Sequence, residues 1–298
     1  MRILLTGATG FIGSAFLKLA LRRQHHVGAL VRPESGGRTK IPNHERLCHF
    51  VGSLAEAPWG QIEGFRPEVC VHAAWVTEPK AYLESPENQR YLDWSKDFLG
   101  QACQRGVRRV IALGTCSEYQ IGREILSEDK TPVAPVSTYA RCKNELHQAL
   151  ETSAIQHHFS LCWARVFYPY GVGEHAGRLC SSIITRLARG EPVALKTPAS
   201  TKDYIYIEDL AAALLTVVEK EFAGAINLGT GVGVTVQQIA ETIAEMVDRQ
   251  GLLELPVETA VDPLGFVVGD ATKLRSLGWQ QSVKLQEGLA RMVKYLTG

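Results

Sequence analysis

Tyr139 and Lys143 stand four residues apart in Ser137-Thr138-Tyr139-Ala140-Arg141-Cys142-Lys143, and good helix formers follow through Leu150. On a helix that spacing puts one side chain above the other on a single face. A phenol with a pKa of roughly 10 is a poor acid or base at neutral pH. A neighbouring ammonium favours the phenolate and brings it towards working range, so the pair could move a proton to or from a carbinol or ketone oxygen. A Tyr-x-x-x-Lys spacing also arises on exposed helix faces, so its meaning rests on the elements around it.

Ile3-Leu4-Leu5 reads as a buried strand leading into Thr6-Gly7-Ala8-Thr9-Gly10-Phe11-Ile12-Gly13, and a helical pattern runs from Ser14 to Arg23. Strand, glycine loop and helix in that order predict a dinucleotide site. Gly7, Gly10 and Gly13 allow a tight turn and close backbone approach, with Thr9, Phe11 and Ile12 in the same turn. The helix N-terminus offers N–H groups to a pyrophosphate.

His26–Val31 is the second strand. An NAD-preferring site usually carries Asp or Glu at its end, for the adenine ribose. Here Arg32-Pro33 follows, with Arg38 and Lys40 close behind. A guanidinium in place of an acid suits a 2′-phosphate, so NADP(H) is expected, with NAD(H) the alternative and a solvated loop charge the plainer reading of Arg32. Arg46–Val51 is a third strand, and Ser53 and Leu54 fall in the turn that would lie by the adenine. The fourth, Val69–Trp75, carries Ala73 and Ala74, small enough to leave room for the cofactor; His72 within it reads as a packed core histidine. A helix from about Pro86 to Arg105 leads to strand five, Arg108–Leu113. The alternation predicts an α/β fold, a Rossmann-type doubly wound parallel sheet with ligands beyond the strands' carboxyl ends. Strand five reaches that edge as Gly114-Thr115-Cys116-Ser117-Glu118-Tyr119.

Across 298 residues, 45% are hydrophobic and 21% charged, the balance of a globular protein with a sizeable core. A net charge of +1 gives no footprint for nucleic acid or a membrane surface. Seven scattered cysteines without a Cys-x-x-Cys pair fit a cytoplasmic protein with free thiols, and no metal site is expected. No apolar run reaches spanning length, and the glycine loop comes too early for a secretion signal.

Gly7-x-x-Gly10-x-x-Gly13, Thr115 after strand five and Tyr139-x-x-x-Lys143 together resemble the extended short-chain dehydrogenase/reductase family, above all its sugar-nucleotide epimerase/dehydratase branch. Arg165–Gly171, Lys202–Asp209, Gly269-Asp270 and Leu277-Gly278-Trp279 resemble later motifs of the same family. The resemblance implies that Tyr139 transfers the proton and Lys143 holds the nicotinamide ribose and lowers the phenol's pKa. Thr115 would hydrogen-bond the reacting sugar oxygen. It further implies a homodimer paired through a four-helix bundle, and a cofactor half of residues 1–168 plus about 204–229. A smaller discontinuous α/β substrate half would take about 169–203 plus 230–298. The glycine-broken loop 171–178 would be a lid, with Arg178 for the diphosphate or merely solvated. Lys202 stands where the family usually has a phosphate-binding arginine.

The departures narrow the reaction. Cys116-Ser117 replaces the Asp-Glu pair of the family's dehydratases, and Glu118 comes one place too late, which on a strand means the opposite face. Cys116 is also out of step with the cysteine of 3- and 5-epimerases, so it reads as packed. Tyr168 replaces a frequent substrate-binding asparagine. The expectation is an NADP(H)-dependent reductase acting on the C4 ketone of a nucleotide-activated deoxy-sugar. An NAD-dependent 4-epimerase is the alternative; a reductase of non-sugar carbonyls and a non-catalytic NADP(H) sensor are weaker ones.

Overall fold

The computed structural model describes residues 1–33, 41–76, 81–256, 262 and 264–298. The first half of the chain alternates strand and helix: β1 (Arg2–Thr6), α1 (Phe11–Arg22), β2 (His26–Val31), β3 (Leu47–Val51), α2 (Trp59–Phe65), β4 (Val69–His72), α3 (Glu87–Gln104), β5 (Arg109–Thr115), α4 (Thr138–His157) and β6 (Ser160–Val166). The second half holds β7 (Tyr168–Tyr170), α5 (Leu179–Ala188), β8 (Val193–Ala194), β9 (Thr201–Tyr206), α6 (Ile207–Glu219), β10 (Gly224–Leu228), β11 (Gly233–Thr235) and α7 (Val236–Met246). After these come β12 (Leu253–Glu254), β13 (Phe266–Val267), α8 (Thr272–Ser276) and α9 (Leu285–Thr297).

Seven strands form one parallel sheet in the order β10-β6-β5-β4-β1-β2-β3. Both faces are covered, so its strands are apolar throughout, and successive side chains feed opposite layers. Ile3, Leu5, Ile111 and Leu113 face the layer of α1 and α6, whereas Leu4, Val110 and Ala112 face α2, α3 and α4. The order reverses between β1 and β4, which opens a crevice at the carboxyl edge. Beside the sheet, β9 pairs with β7, β11 and β13, and α5, α7 and α9 pack together.

Two buried aspartates of the Lys202–Asp209 stretch join these parts. Asp203 accepts hydrogen bonds from the Thr230 N–H (2.8 Å) and hydroxyl (2.6 Å), the Gly231 N–H (2.9 Å) and the Gly269 N–H (3.3 Å). Asp209 accepts from the Ser282 N–H and hydroxyl and the Val283 N–H. The stretch that begins at Lys202, a residue expected to serve the substrate, thus fastens the fold.

Candidate active site

Tyr139 owes its place to a helix cap. The Ser137 hydroxyl accepts from the Ala140 N–H (3.2 Å), starting α4 so that Tyr139 lies in its first turn. One turn later Lys143 is 3% exposed, donates to the Leu113 carbonyl (2.7 Å) and lies 3.9 Å above the Trp75 ring. Tyr139 is packed edge-on by Tyr82 (5.0 Å) and Trp75 (6.5 Å). The Thr115 hydroxyl faces its phenol and favours the phenolate, but burial outweighs this and pushes the Tyr139 pKa well above the ordinary value. Lys143 is itself brought down to about 7 by burial, partly offset by Glu118. The expected lowering of the phenol by Lys143 is not seen: the ammonium is engaged by the Leu113 carbonyl and the Trp75 ring, and desolvation sets the poise of both groups.

The four residues come from three places in the chain: Thr115 ends β5, Tyr139 and Lys143 lie on α4, and Trp75 follows β4. The Thr115 hydroxyl accepts from the Ser117 N–H (3.3 Å), because residues 116–118 turn as one 3₁₀ coil. That coil, and not strand alternation, carries Glu118 away from the crevice into the core. Cys116 is buried, and burial pushes its thiol up to about 12, so it packs as an apolar residue.

The glycine loop lies at the reversal between β1 and β4. Gly7 has φ +72°, a conformation that side chains disfavour, and a Cβ there would come within 2.7 Å of the Ala73 carbonyl. A Cβ on Gly13 would approach the Gly7 carbonyl oxygen to 2.1 Å. The loop is therefore folded hard against Ala73-Ala74 and α1. Gly10 is exposed at the N-cap of α1, which has no side-chain cap and no acid in its first turn. Free N–H donors and a positive dipole end fit the pyrophosphate of a dinucleotide. Thr9, Phe11 and Ile12 border them, half-buried. Gly13→Ala is expected to weaken dinucleotide binding at least ~10-fold, since the clash must move the loop; titration calorimetry reads it.

His72 supports the loop from below. The Ala74 N–H donates to the Thr6 hydroxyl (3.2 Å), which is also hydrogen-bonded to His72 Nδ1 (2.9 Å), while His72 Nε2 is hydrogen-bonded to the Ser95 hydroxyl (3.0 Å). Burial, with Lys143 adding to it, lowers the imidazole to about 3, so it stays neutral. At the far end of the crevice Gly52 N–H donates to the Val31 carbonyl, setting Ser53 and buried Leu54 beside exposed Arg32. Arg38 and Lys40 lie outside the described residues.

On the substrate side, Arg178 is the N-cap residue of α5, and its guanidinium lies 5.9 Å from the Tyr82 ring, which in turn meets Tyr139 edge-on. Lys202 is engaged otherwise than expected: its ammonium donates to Asp262 (2.9 Å) and to the Leu264 carbonyl. A diphosphate would have to displace Asp262 to reach it. Tyr82 and Trp75, the rings around the tyrosine, gave no sequence signal, since nothing in their spacing relates them to Tyr139.

The family model for the NAD dependent epimerase/dehydratase family matches residues 3–229. The chain belongs to that family. UDP-glucuronic acid decarboxylase 6 of Arabidopsis thaliana is 26% identical, over 98% of this chain and 88% of the relative. The low-salt glycan biosynthesis protein Agl12 of Haloferax volcanii is 28% identical, over 100% and 99%. Among solved structures, the Thermus thermophilus UDP-glucose 4-epimerase complex with NAD superposes with a TM-score of 0.86 at 26% identity, covering 100% and 99% of the two chains. The protein is thus an enzyme of the extended short-chain dehydrogenase/reductase type, and the doubly wound sheet is that of its relatives.

In this epimerase/dehydratase family member, Lys143 is held at a cost to stability. Its folded pKa of about 7 lies below the unfolded value, so below pH 7 the buried charge is fully destabilising. As pH rises from 7 towards roughly 10, the folded state holds fewer protons than the unfolded one, and the penalty fades. Lys143→Met is expected to stabilise the cofactor-free protein by about 1–3 kcal/mol below pH 7. The gain should vanish near pH 10, as measured by denaturant unfolding across that range.

Proposed function

We propose that the protein moves a proton and a hydride at the C4 carbinol of a nucleotide-activated sugar, acting as an NAD(H)-dependent 4-epimerase. The observation that carries this is the convergence of Thr115, Tyr139 and Lys143 at the carboxyl edge of β5, beside the glycine loop. Glu118 and Cys116 are both buried, whereas Tyr139 is only half-buried, so of these groups around Thr115 it is Tyr139 that can reach a carbinol to exchange a proton. A bound nicotinamide supplies the hydride acceptor and donor. Thr115 orients the sugar oxygen, Tyr139 takes and returns its proton, and Lys143 holds a positive charge under the phenolate. Arg178, with Tyr82, covers the sugar diphosphate. The Thermus thermophilus relative, described as a UDP-glucose 4-epimerase in complex with NAD, supports the choice of reaction and cofactor.

Arg32 at the end of β2 favours the second reading, an NADPH-consuming reductase of a 4-keto nucleotide sugar. In either case we assign 1–168 and the α6–β10 return to the cofactor half and the rest to the substrate half. A cytoplasmic homodimer paired through α3 and α4 completes the proposal, with ultracentrifugation as the test of pairing.

Denaturing freshly purified protein and weighing any released dinucleotide separates the two. Retained NAD(H), with UDP-glucose or UDP-glucuronic acid converted to its C4 epimer, supports the epimerase. An empty site that takes up NADPH and reduces a 4-keto nucleotide sugar supports the reductase. Loss of CO₂ from UDP-glucuronic acid would place the enzyme with the decarboxylases. No turnover of any of the three substrates would overturn the proposal.

A further inference from the structure

The Glu118 carboxylate is wholly buried, and each of its oxygens is occupied. Oε1 accepts the Thr115 N–H (2.8 Å); Oε2 accepts Trp163 Nε1–H (2.9 Å) and Arg165 Nε–H (2.9 Å). Three donors on two oxygens, one of them the Arg165 guanidinium, favour the ionised form and oppose the burial that pushes the carboxyl pKa up. Room for the carboxylate is made by Gly114, where a Cβ would lie 2.7 Å from Oε1 and 2.3 Å from Trp163 Nε1. Arg165 is fixed in turn: it donates to the Tyr119 hydroxyl (3.2 Å), which donates to Asn227 (2.7 Å) on β10. The end of β5 is thereby bolted through one side chain to β6, and through Arg165 to the edge strand.

From this geometry we infer that Glu118 is a positioning residue for Thr115, holding its hydroxyl against Tyr139 by bridging the Thr115 N–H to Trp163 and Arg165. The inference rests on the reading of Thr115 and Tyr139 given above. A small displacement of a group that orients the reacting oxygen costs a large factor in rate, because the substrate leaves near-attack geometry. The bridge needs a carboxylate. Glutamine accepts on one oxygen only, so in either rotamer its NH₂ faces a donor, and the amide is expected to fail almost as fully as a methyl group.

The test is a cycle of Glu118→Gln, Thr115→Ala and the double variant, with kcat and KM measured for each. Glu118→Gln is expected to lower kcat ~30-fold with KM within ~3-fold, and to add less than ~2-fold once Thr115 is alanine. A loss of equal size in both backgrounds would overturn the inference and make Glu118 a general stabiliser. A second readout needs no turnover: hydrogen exchange at the Thr115 amide should quicken ~100-fold in Glu118→Gln, while Val110 to Leu113 keep their protection. Unchanged exchange at Thr115, or equal quickening along all of β5, would sink it, whereas absent turnover with the local exchange effect would fault the proposed reaction instead. If Glu118→Gln does not fold, Trp163→Phe removes one of the three donors and keeps the carboxylate. A several-fold fall in kcat that disappears beside Thr115→Ala is then expected, and a fall that persists there refutes it.

Discussion

Tyr139→Phe is expected to lower kcat by roughly 10²–10⁴-fold while leaving dinucleotide affinity within about 3-fold. Phenylalanine keeps the ring that Tyr82 and Trp75 pack edge-on, so the pocket wall survives and the exchangeable proton alone is removed. The glycine loop and the first turn of α1 are built from other elements than the helix that carries that hydroxyl, so the dinucleotide keeps its pyrophosphate contacts. Steady-state kinetics and cofactor titration on one preparation check both halves. Turnover within 10-fold of the parent would remove Tyr139 from the chemistry, and with it the proposed reaction.

The second large effect is on stability. Asp203→Ala is expected to destabilise the protein by about 3–5 kcal/mol. Its carboxylate, itself 0% exposed, collects four donors from Thr230, Gly231 and Gly269, and of these residues Thr230 and Gly269 are buried with it. Those donors belong to the turn after β10 and to the segment after β13, so losing the acceptor loosens the small sheet from the large one. Asp203→Asn should lie between, since an amide can serve only one of the two oxygen sites. Denaturant unfolding gives the comparison; a shift below ~1 kcal/mol in Asp203→Ala would mean that these donors find other acceptors.

The large sheet was legible because its signals are local. Each buried strand is a short apolar run between breakers, and the loop Gly7–Gly13 declares its strand and helix on either side. Tyr139 and Lys143 fall on one helix, where a spacing of four is itself a contact rule. The helix at Val236 could likewise be placed from Thr235, whose hydroxyl accepts from the Gln238 N–H in the structure. The small sheet was not legible: β7, β11 and β13 are two or three residues long, and β9 finds them only after the chain has folded.

Glu118 shows where the boundary lies. Thr115-x-x-Glu118 is the pattern of a capping box, and the structure contains it, so the turn that hides the glutamate was present as a sequence signal. Counting strand parity through that turn placed Glu118 away from the crevice for the wrong reason. What its carboxylate meets there, Trp163 and Arg165 on the next strand, depends on register across the sheet, and register is decided by packing. The same holds for Lys202, a cation placed beside the substrate by its motif and neutralised by Asp262, sixty residues on. By itself the sequence determined the α/β class and the family, and it offered the glycine loop, Tyr139 and Lys143 as candidates through neighbours a turn or a strand apart, with Thr115 added by resemblance. Only the tertiary structure decided which charges are sealed, paired or left facing the crevice, because desolvation and ion pairing act between residues that the chain brings together from afar.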